Sequence, residues 1–526
     1  MHFVAVAFSG GPDSTCLLFL LHRALNQEAL ESSRHPLPPV AVSIDHGLQE
    51  ASSAMADHCA RFALKHQFAH ASLAIPWGEP PFPARPGPGD PFEKIARDAR
   101  ARLILDYMER HASSTLLTGH HLDDQVETLI MGRLRSAKSM NTMEPCRRWG
   151  MGDSFDGLGF FGLRGMHKWI ARPLLPFSKD RILATCDAHG LEYVVDKTNF
   201  QPGLTPRNDI RAFLQTDGRV IASKITQTAA SGNDLPTTSQ TAPPTGAQVK
   251  MAVDKSKIYA AARHLLSSPE GSALLSQDKS ILETLRDLAA VLVANRLDLD
   301  KIAFEYLRKN ACPSHPSTFF LVHRGGEPPD ARLRRAIVLR IIRFVSPYPW
   351  GSPASQAYRE TKTTDRLAAA LWDEPHPTKI ITHGGLVQWT PLVIRATGKV
   401  KHPTPQPGCK PDDIVGWLAS RQPGPATRDP AVDITNAVLD AVQKLDRPRS
   451  VDVLFDCRFS VHIQPSALSG DYIASLCAGA ARMLVVAQGQ HCLPALVLNA
   501  PGERPVNLPQ VVHEQELWVP TPVRVL

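Results

Sequence analysis

A run of apolar residues, Phe3-Val4-Ala5-Val6-Ala7-Phe8, passes directly into Ser9-Gly10-Gly11-Pro12-Asp13-Ser14 and then into a helical repeat. That junction constrains the fold more than any other feature of the chain. An apolar run without polar alternation suits a strand buried on both faces. Leu17, Leu20, Leu21, Ala24 and Leu25 then recur at the spacing of one helix face. The alternation continues with strand patterns at Val40 to Ile44, Ala71 to Ile75 and Thr115 to Thr118. Helical patterns lie between them, at about 51–65 and 95–108, and another opens near Asp123. Repeated strand–helix units predict an α/β domain, a doubly wound parallel sheet with right-handed crossovers. Ligands of such sheets sit beyond the carboxyl ends of the strands.

A chain of 526 residues exceeds one ordinary core, so two or three domains are expected. We expect the α/β domain to span 1–215, with a polar Pro/Thr/Ser-rich linker at 230–250. Residues 251–400 read as mainly helical, clearest at Arg332 to Phe344, where Leu333, Ile337, Ile341 and Phe344 share a face. Residues 400–430 read as a second, Pro/Gly-rich link, and 431–526 as a C-terminal α+β region. Seven prolines within 76–91 mark a surface insertion. No internal repeat is visible.

Residues 1–215 hold 23 basic and 23 acidic side chains, whereas 216–526 hold 35 and 28, so the whole excess of +7 lies in the second part. A neutral catalytic unit joined to a mildly basic appendage fits a polyanionic partner such as RNA. On α-helical spacing, Arg332, Arg335 and Arg343 lie off the apolar stripe and Arg340 adjoins it; a solvated face is the favoured reading of these arginines. The nine cysteines are scattered with no C-x-x-C pair, which argues against zinc ribbons and disulfide frameworks and for a reducing compartment, mitochondrion or cytoplasm. No apolar run approaches the ~20 residues of a membrane span.

Chemistry concentrates at two places. The loop Ser9-Gly10-Gly11-Pro12-Asp13-Ser14 combines glycines that allow close backbone approach with the free N–H groups of a helix start, an arrangement that binds phosphate. Asp13 is informative, because a carboxylate beside phosphates is repulsive unless a cation such as Mg²⁺ bridges them. The Walker and dinucleotide-binding signatures are both absent. The second place is His120-His121-Leu122-Asp123-Asp124-Gln125-Val126-Glu127-Thr128. His120, Asp124 and Glu127 fall at i, i+4 and i+7, predicting one helical face with an imidazole and two carboxylates that can hold an ammonium group. Asp123 by itself reads as a solvated acidic first turn.

The loop resembles that of the N-type ATP pyrophosphatases, the PP-loop superfamily, which cleave ATP between its α and β phosphates. The string from His120 resembles the H-x-x-D-D-x-x-E-T element of the tRNA(Ile)-lysidine synthase family. Further pieces follow in order: Asp45-His46-Gly47-Leu48, Glu93 with Ala96-Arg97 and Arg100, Gly162-Leu163-x-Gly165-Met166, Arg172-Pro173-Leu174-Leu175, Asp196-x-x-Asn199 and Arg207-Asn208-x-Ile210-Arg211. The family's Gly-Ser-Gly stretch after E-T is replaced here by Arg135-Ser136-Ala137-Lys138 and the residues between it and Gly162, and Lys197 stands at a usual proline.

The resemblance implies an adenine nucleotide alpha hydrolase-like fold and a ligase that uses ATP and Mg²⁺. Its substrates would be free L-lysine and an isoleucine tRNA with anticodon CAU. ATP adenylates the C2 oxygen of the wobble cytidine, and a lysine amine then displaces AMP. It further implies that Ser9 to Ser14 cradle the phosphates and Asp13 the metal. Asp124 and Glu127 would orient lysine, while His120, Arg97, Arg207 and Arg211 would contact phosphate or the activated base. Two rivals stay open: another adenylating enzyme of this fold, thiolating or amidating its acceptor, and a non-catalytic RNA-binding relative.

Overall fold

The computed structural model describes residues 4–32, 39–47, 52–87, 90–136, 139–152, 161–195, 203, 205–222, 253–276, 278–322, 329–349, 352, 361–373, 379–383, 385–401, 410, 412–423, 430–443, 450–512 and 515–524. The expected linker 230–250 and the Asp196 to Asn199 element lie outside the described residues. The chain divides into two units, Met1–Trp149 with His167–Asp298, and Gly150–Met166 with Leu299–Leu526.

In the first unit the chain runs through β1 (Val4–Ala7), α1 (Pro12–Ser32), β2 (Val40–Asp45), α2 (Ser52–Lys65), β3 (Ala69–Ala74), α3 (Phe92–Arg110), β4 (Thr115–Leu117) and α4 (Leu122–Arg135). Next come β5 (Cys146–Arg148), then α5 (Gly162–Met166), which belongs to the second unit, then β6 (Trp169–Ala171), α6 (Lys179–Ala188) and α7 (Pro206–Thr216). The sheet order is β3-β2-β1-β4-β6-β5, parallel throughout except that β5 runs against β6. This is the doubly wound parallel α/β fold. The chain travels outward from β1 through β2 to β3, then returns to place β4 on the other side of β1. The order therefore reverses between β1 and β4, and a crevice opens beyond their carboxyl ends. Both chemistry-bearing segments leave the sheet there.

The helices after α7, α8 (Lys255–Leu266), α9 (Pro269–Ser272) and α10 (Ile281–Asn310), begin in this same unit. Val126, Leu129 and Ile130 of α4 are buried together with Ile210 and Phe213 of α7, Ile258 and Leu265 of α8, and Leu285 and Leu288 of α10. The apolar side of the helix that carries the acidic motif is thus covered by helices from far along the chain. Burying each such side chain contributes about 1.5–3 kcal/mol.

The second unit takes over within α10 and adds β7 (Ala311–Cys312), β8 (Phe319–Val322), α11 (Ala331–Val345), α12 (Thr361–Trp372), β9 (Ile381–His383), β10 (Val387–Ile394), β11 (Val400–Lys401) and β12 (Ile414–Arg421). These strands form a sheet ordered β11-β10-β12-β8-β7, with β9 on β10. Region 251–400 is therefore helical only in part. The expected link 400–430 also needs correction, because β12 pairs along all eight residues of β10 and lies inside the sheet. Its buried Trp417 and Ala419 pack with Trp389 and the apolar face of α11. The prolines that suggested a link flank this strand without entering it. Of the α11 arginines, Arg334 pairs with Asp373, Arg335 with Asp365 and Arg340 with Asp300. Much of that basic face is internally neutralised.

The remainder is α+β: β13 (Ala431–Asp433), α13 (Thr435–Gln443), β14 (Val451–Phe455), β15 (Phe459–Ile463), α14 (Gly470–Cys477), β16 (Arg482–Gln488), β17 (Leu493–Asn499) and β18 (Val506–Asn507), with further short strands to Pro522. Among the described residues no helix is long and apolar enough to cross a membrane, and none of the eight described cysteines forms a disulfide.

Candidate active site

The loop after β1 is held by its own hydroxyls. Ser14 Oγ accepts from the Ser9 backbone N–H at 3.2 Å, lies 3.2 Å from Ser9 Oγ and donates to the Gly11 carbonyl at 3.1 Å. Gly10 has φ +73°, and a Cβ there would stand 2.9 Å from Cys59 Sγ, so only glycine fits. A Cβ on Gly11 would meet nothing nearer than Ser9 Oγ at 3.5 Å, so this side of the bend has room for a ligand. The helix begins at Pro12, a residue suited to a first helical position, and its leading N–H groups lack intrahelical partners. Loop and helix start together have the geometry to cradle an anion.

The segment after β4 lies directly against this cradle. A Cβ on Gly119 would stand 3.0 Å from the Asp13 carbonyl carbon and 3.1 Å from Ser14 N. Helix α4 starts only at Leu122, so His120 precedes it and does not share its face, contrary to the spacing argument. His120 Nδ1 instead sits 2.8 Å from Thr118 Oγ1. Burial lowers the His120 pKa to about 4, with Asp124 opposing and Arg172, Arg207 and Arg100 adding to the effect. The imidazole that joins the acidic group is that of His121, the helix N-cap. Its Nε2 lies 3.6 Å from Asp13 Oδ1 and 3.6 Å from Asp124 Oδ2. One buried side chain thereby bridges the two motifs.

Asp124 and Glu127 are both buried and both face guanidinium groups. Asp124 Oδ2 accepts the His121 backbone N–H at 2.9 Å, and its other oxygen lies 3.6 Å from Arg211. Burial acts to raise its pKa, but His121, His120 and Arg207 outweigh that and hold it below the ordinary carboxylate value. Glu127 meets Arg211 Nε at 2.6 Å and Arg207 Nε at 2.8 Å. Burial nevertheless pushes the Glu127 carboxyl upward. Helix α7 supplies both arginines, and its start is fixed by Thr205, whose side chain caps Asn208 N, and by Pro206.

Other predicted residues are placed less centrally. Arg97 is exposed on α3, and its ion pair is with Glu93, one turn back, at 2.5 Å. Arg172 is buried and donates to the Glu144 carbonyl at 2.6 Å. In the Asp45-His46-Gly47 bend, Gly47 N donates to Asp45 Oδ1 at 2.8 Å, with Gly47 at φ +60°. Burial first and Arg100 second lower the His46 pKa to about 4. The proline-rich insertion is tied to this bend, since Trp77 Nε1 donates to the His46 carbonyl at 2.8 Å.

Sequence reasoning missed Lys179 and Arg286. Lys179 Nζ lies 2.6 Å from Asp13 Oδ1. A lysine in the first turn of a helix opposes the helix dipole, and that mismatch was the available signal. Arg286 of α10 grips Asp123 in a fork, at 2.5 and 2.8 Å. Asp123 is therefore ion-paired, where a solvated first turn was expected.

The model of the PP-loop domain family matches residues 1–217. Residues 1–217 are thus similar to a PP-loop domain. Its curated relatives include the tRNA(Ile)-lysidine synthase of Methylobacterium nodulans, 36% identical over 200 residues, which are 37% of this chain and 49% of the relative. Another is the tRNA(Ile)-lysidine synthase of a Bradyrhizobium species, 34% identical over 216 residues, 40% of this chain and 52% of the relative. The chain thus spans about half the length of these relatives, and the likeness rests on the PP-loop domain. A solved U34-tRNA thiolase from Methanococcus maripaludis aligns at TM-score 0.25 and 17% identity, over 37% of this chain and 58% of that one. So loose a superposition carries no argument.

Proposed function

We propose that this chain is an ATP-dependent tRNA ligase of the lysidine-forming kind. Its substrates are ATP, free L-lysine and an isoleucine tRNA with a CAU anticodon. The C2 oxygen of the wobble cytidine attacks the α-phosphorus and pyrophosphate leaves; a lysine amine then attacks C2 and AMP leaves with the oxygen. The observation that carries this reading is His121 Nε2, 3.6 Å from Asp13 and from Asp124 alike, which makes the phosphate cradle and the acidic helix one site.

The loop Ser9 to Ser14 binds the phosphates through backbone N–H groups and stabilises charge as pyrophosphate departs. Among the described residues no cluster of three or more His, Cys, Asp or Glu could hold a metal. Asp13, a single hard oxygen donor beside the cradle, would hold a magnesium ion. That ion would supply charge neutralisation for the phosphates. Lys179, 2.6 Å from the Asp13 oxygen, adds a fixed positive charge beside the cradle.

Asp124, held ionised, attracts the lysine ammonium and orients it. Glu127 already faces two guanidiniums, so its part is to hold Arg207 and Arg211 toward the reacting base. His120, held neutral by burial, contacts phosphate or the activated base as a hydrogen-bonding group. Arg97, exposed on α3, is reserved for a phosphate of the tRNA. The test is mass spectrometry of nucleosides from tRNA incubated with the protein, ATP and lysine. Lysidine in the digest supports the reading. Turnover that requires sulfide or ammonia overturns it in favour of a thiolating or amidating enzyme, and tRNA binding without turnover in favour of a non-catalytic relative.

A further inference from the structure

We propose that helix α10 is a positioning element of this site, acting through Arg286 on the first turn of α4 and through Arg296 on the segment 142–144. The inference deepens the function proposed above and takes from it only the identity of the reaction.

Arg286 has little solvent exposure, and its guanidinium closes a fork on Asp123, the residue next to Asp124. Its Nη2 also reaches Asp180 at 3.0 Å, the residue next to Lys179, although Asp180 is 76% exposed and that pair contributes less. The bidentate contact fixes both rotation and distance of the α4 start, which a single point charge would not. Asp123, adjoining the helix N-terminus, would remain stable there without a partner. What Arg286 adds is a fixed attachment of that turn to a helix 163 residues away.

Ten residues further along α10, Arg296 donates to the Thr142 carbonyl at 3.2 Å and pairs with Glu144. The same segment is held by Gln125 of α4, which donates to Met143 O at 2.9 Å and accepts from Met143 N at 2.7 Å. Arg172 takes the Glu144 carbonyl from the third side. This is the stretch that departs from the family's Gly-Ser-Gly element. One helix therefore braces the Asp124 turn at one end and the Arg172 support at the other, about 15 Å apart by helical rise.

The test uses the full chain and amide hydrogen exchange, with urea unfolding as the control for the fold. Arg286→Ala should speed exchange of the 121–127 amides by on the order of tenfold while leaving 142–144 protected. Arg296→Ala should do the reverse. Arg286→Lys, which keeps charge but not the fork, should fall between wild type and alanine. Arg286→Ala combined with Asp123→Asn should be no worse at 121–127 than either change alone. In turnover assays Arg286→Ala should lower kcat by on the order of tenfold to a hundredfold with the KM for ATP within about twofold, because the loop 9–14 is untouched. Unchanged protection at 121–127 in both Arg286 variants, or additive effects of the two changes, would overturn the proposal. Absence of pyrophosphate release in the wild-type protein would refute the function proposed above, and the exchange data would still decide this inference.

Discussion

Lys179 Nζ lies 2.6 Å from Asp13 Oδ1, so the carboxylate of the phosphate loop is held by a cation that comes from the start of α6. The two side chains are similarly half-buried, at 28% and 29% exposure. The pair keeps the Asp13 side chain aimed beside the cradle. Asp13→Asn should lower ATP-dependent pyrophosphate release by about 10²–10³-fold, the cost of removing one preorganised electrostatic group. Thermal unfolding of that variant should stay close to wild type. Activity within a few-fold of wild type would remove Asp13 from the reaction.

Gly119 makes a second prediction, because its substitution presses on the loop from behind. Gly119→Ala places a methyl 3.0 Å from the Asp13 carbonyl carbon. Backbone cannot yield there as a flexible side chain would, and such overpacking costs about 1–3 kcal/mol. ATP affinity, measured by calorimetry, should weaken by roughly tenfold. An unchanged dissociation constant would show that the contact does not shape the cradle.

Glu127 sits almost wholly buried between Arg207 and Arg211. Glu127→Ala leaves Arg207 without this ion pair and Arg211 with Asp124 alone, at 3.6 Å. Urea unfolding should record a loss of about 3 kcal/mol, the low end for a broken buried pair, since both arginines retain some solvent contact. Arg207→Ala should cost less, because Glu127 keeps Arg211.

The pH dependence of stability follows from His120. Its folded pKa, about 4, lies below the ordinary 6.5. Between these values the unfolded chain binds more protons than the folded one, so acid favours unfolding. The contribution of neutral His120 is therefore complete above about pH 6.5 and is lost as pH falls toward 4. Glu127, raised by burial, acts in the opposite sense, so the His120 share is read as the difference between two curves. The urea midpoint of His120→Gln should fall less steeply than wild type from pH 6.5 to 4. Parallel curves would sink the assignment.

Much of the site was legible because it is local. The two-glycine bend between strand and helix, and the acidic first turn after β4, are each written within a few consecutive residues. Propensity, capping and side-chain spacing act over that range. The parallel sheet followed from strand–helix alternation and the handedness of crossovers. One local inference failed by a single residue: α4 begins at Leu122, so His121 took the place expected for His120.

The sequence alone determined that a two-glycine bend opens a parallel α/β domain and that a carboxylate-rich helix comes after its fourth strand. Only the tertiary structure decided what those groups face. Lys179 reaches Asp13 across 166 positions, and Arg286 reaches Asp123 across 163. Ile414–Arg421, set among prolines, became a central strand because Val387–Ile394 offered a full ladder of partners and Gly416 let Leu321 O approach where a Cβ would overlap it. Local chemistry is encoded in adjacent residues. The partner of a charged side chain or of a strand edge is set by packing, which brings together segments that no sequence window contains.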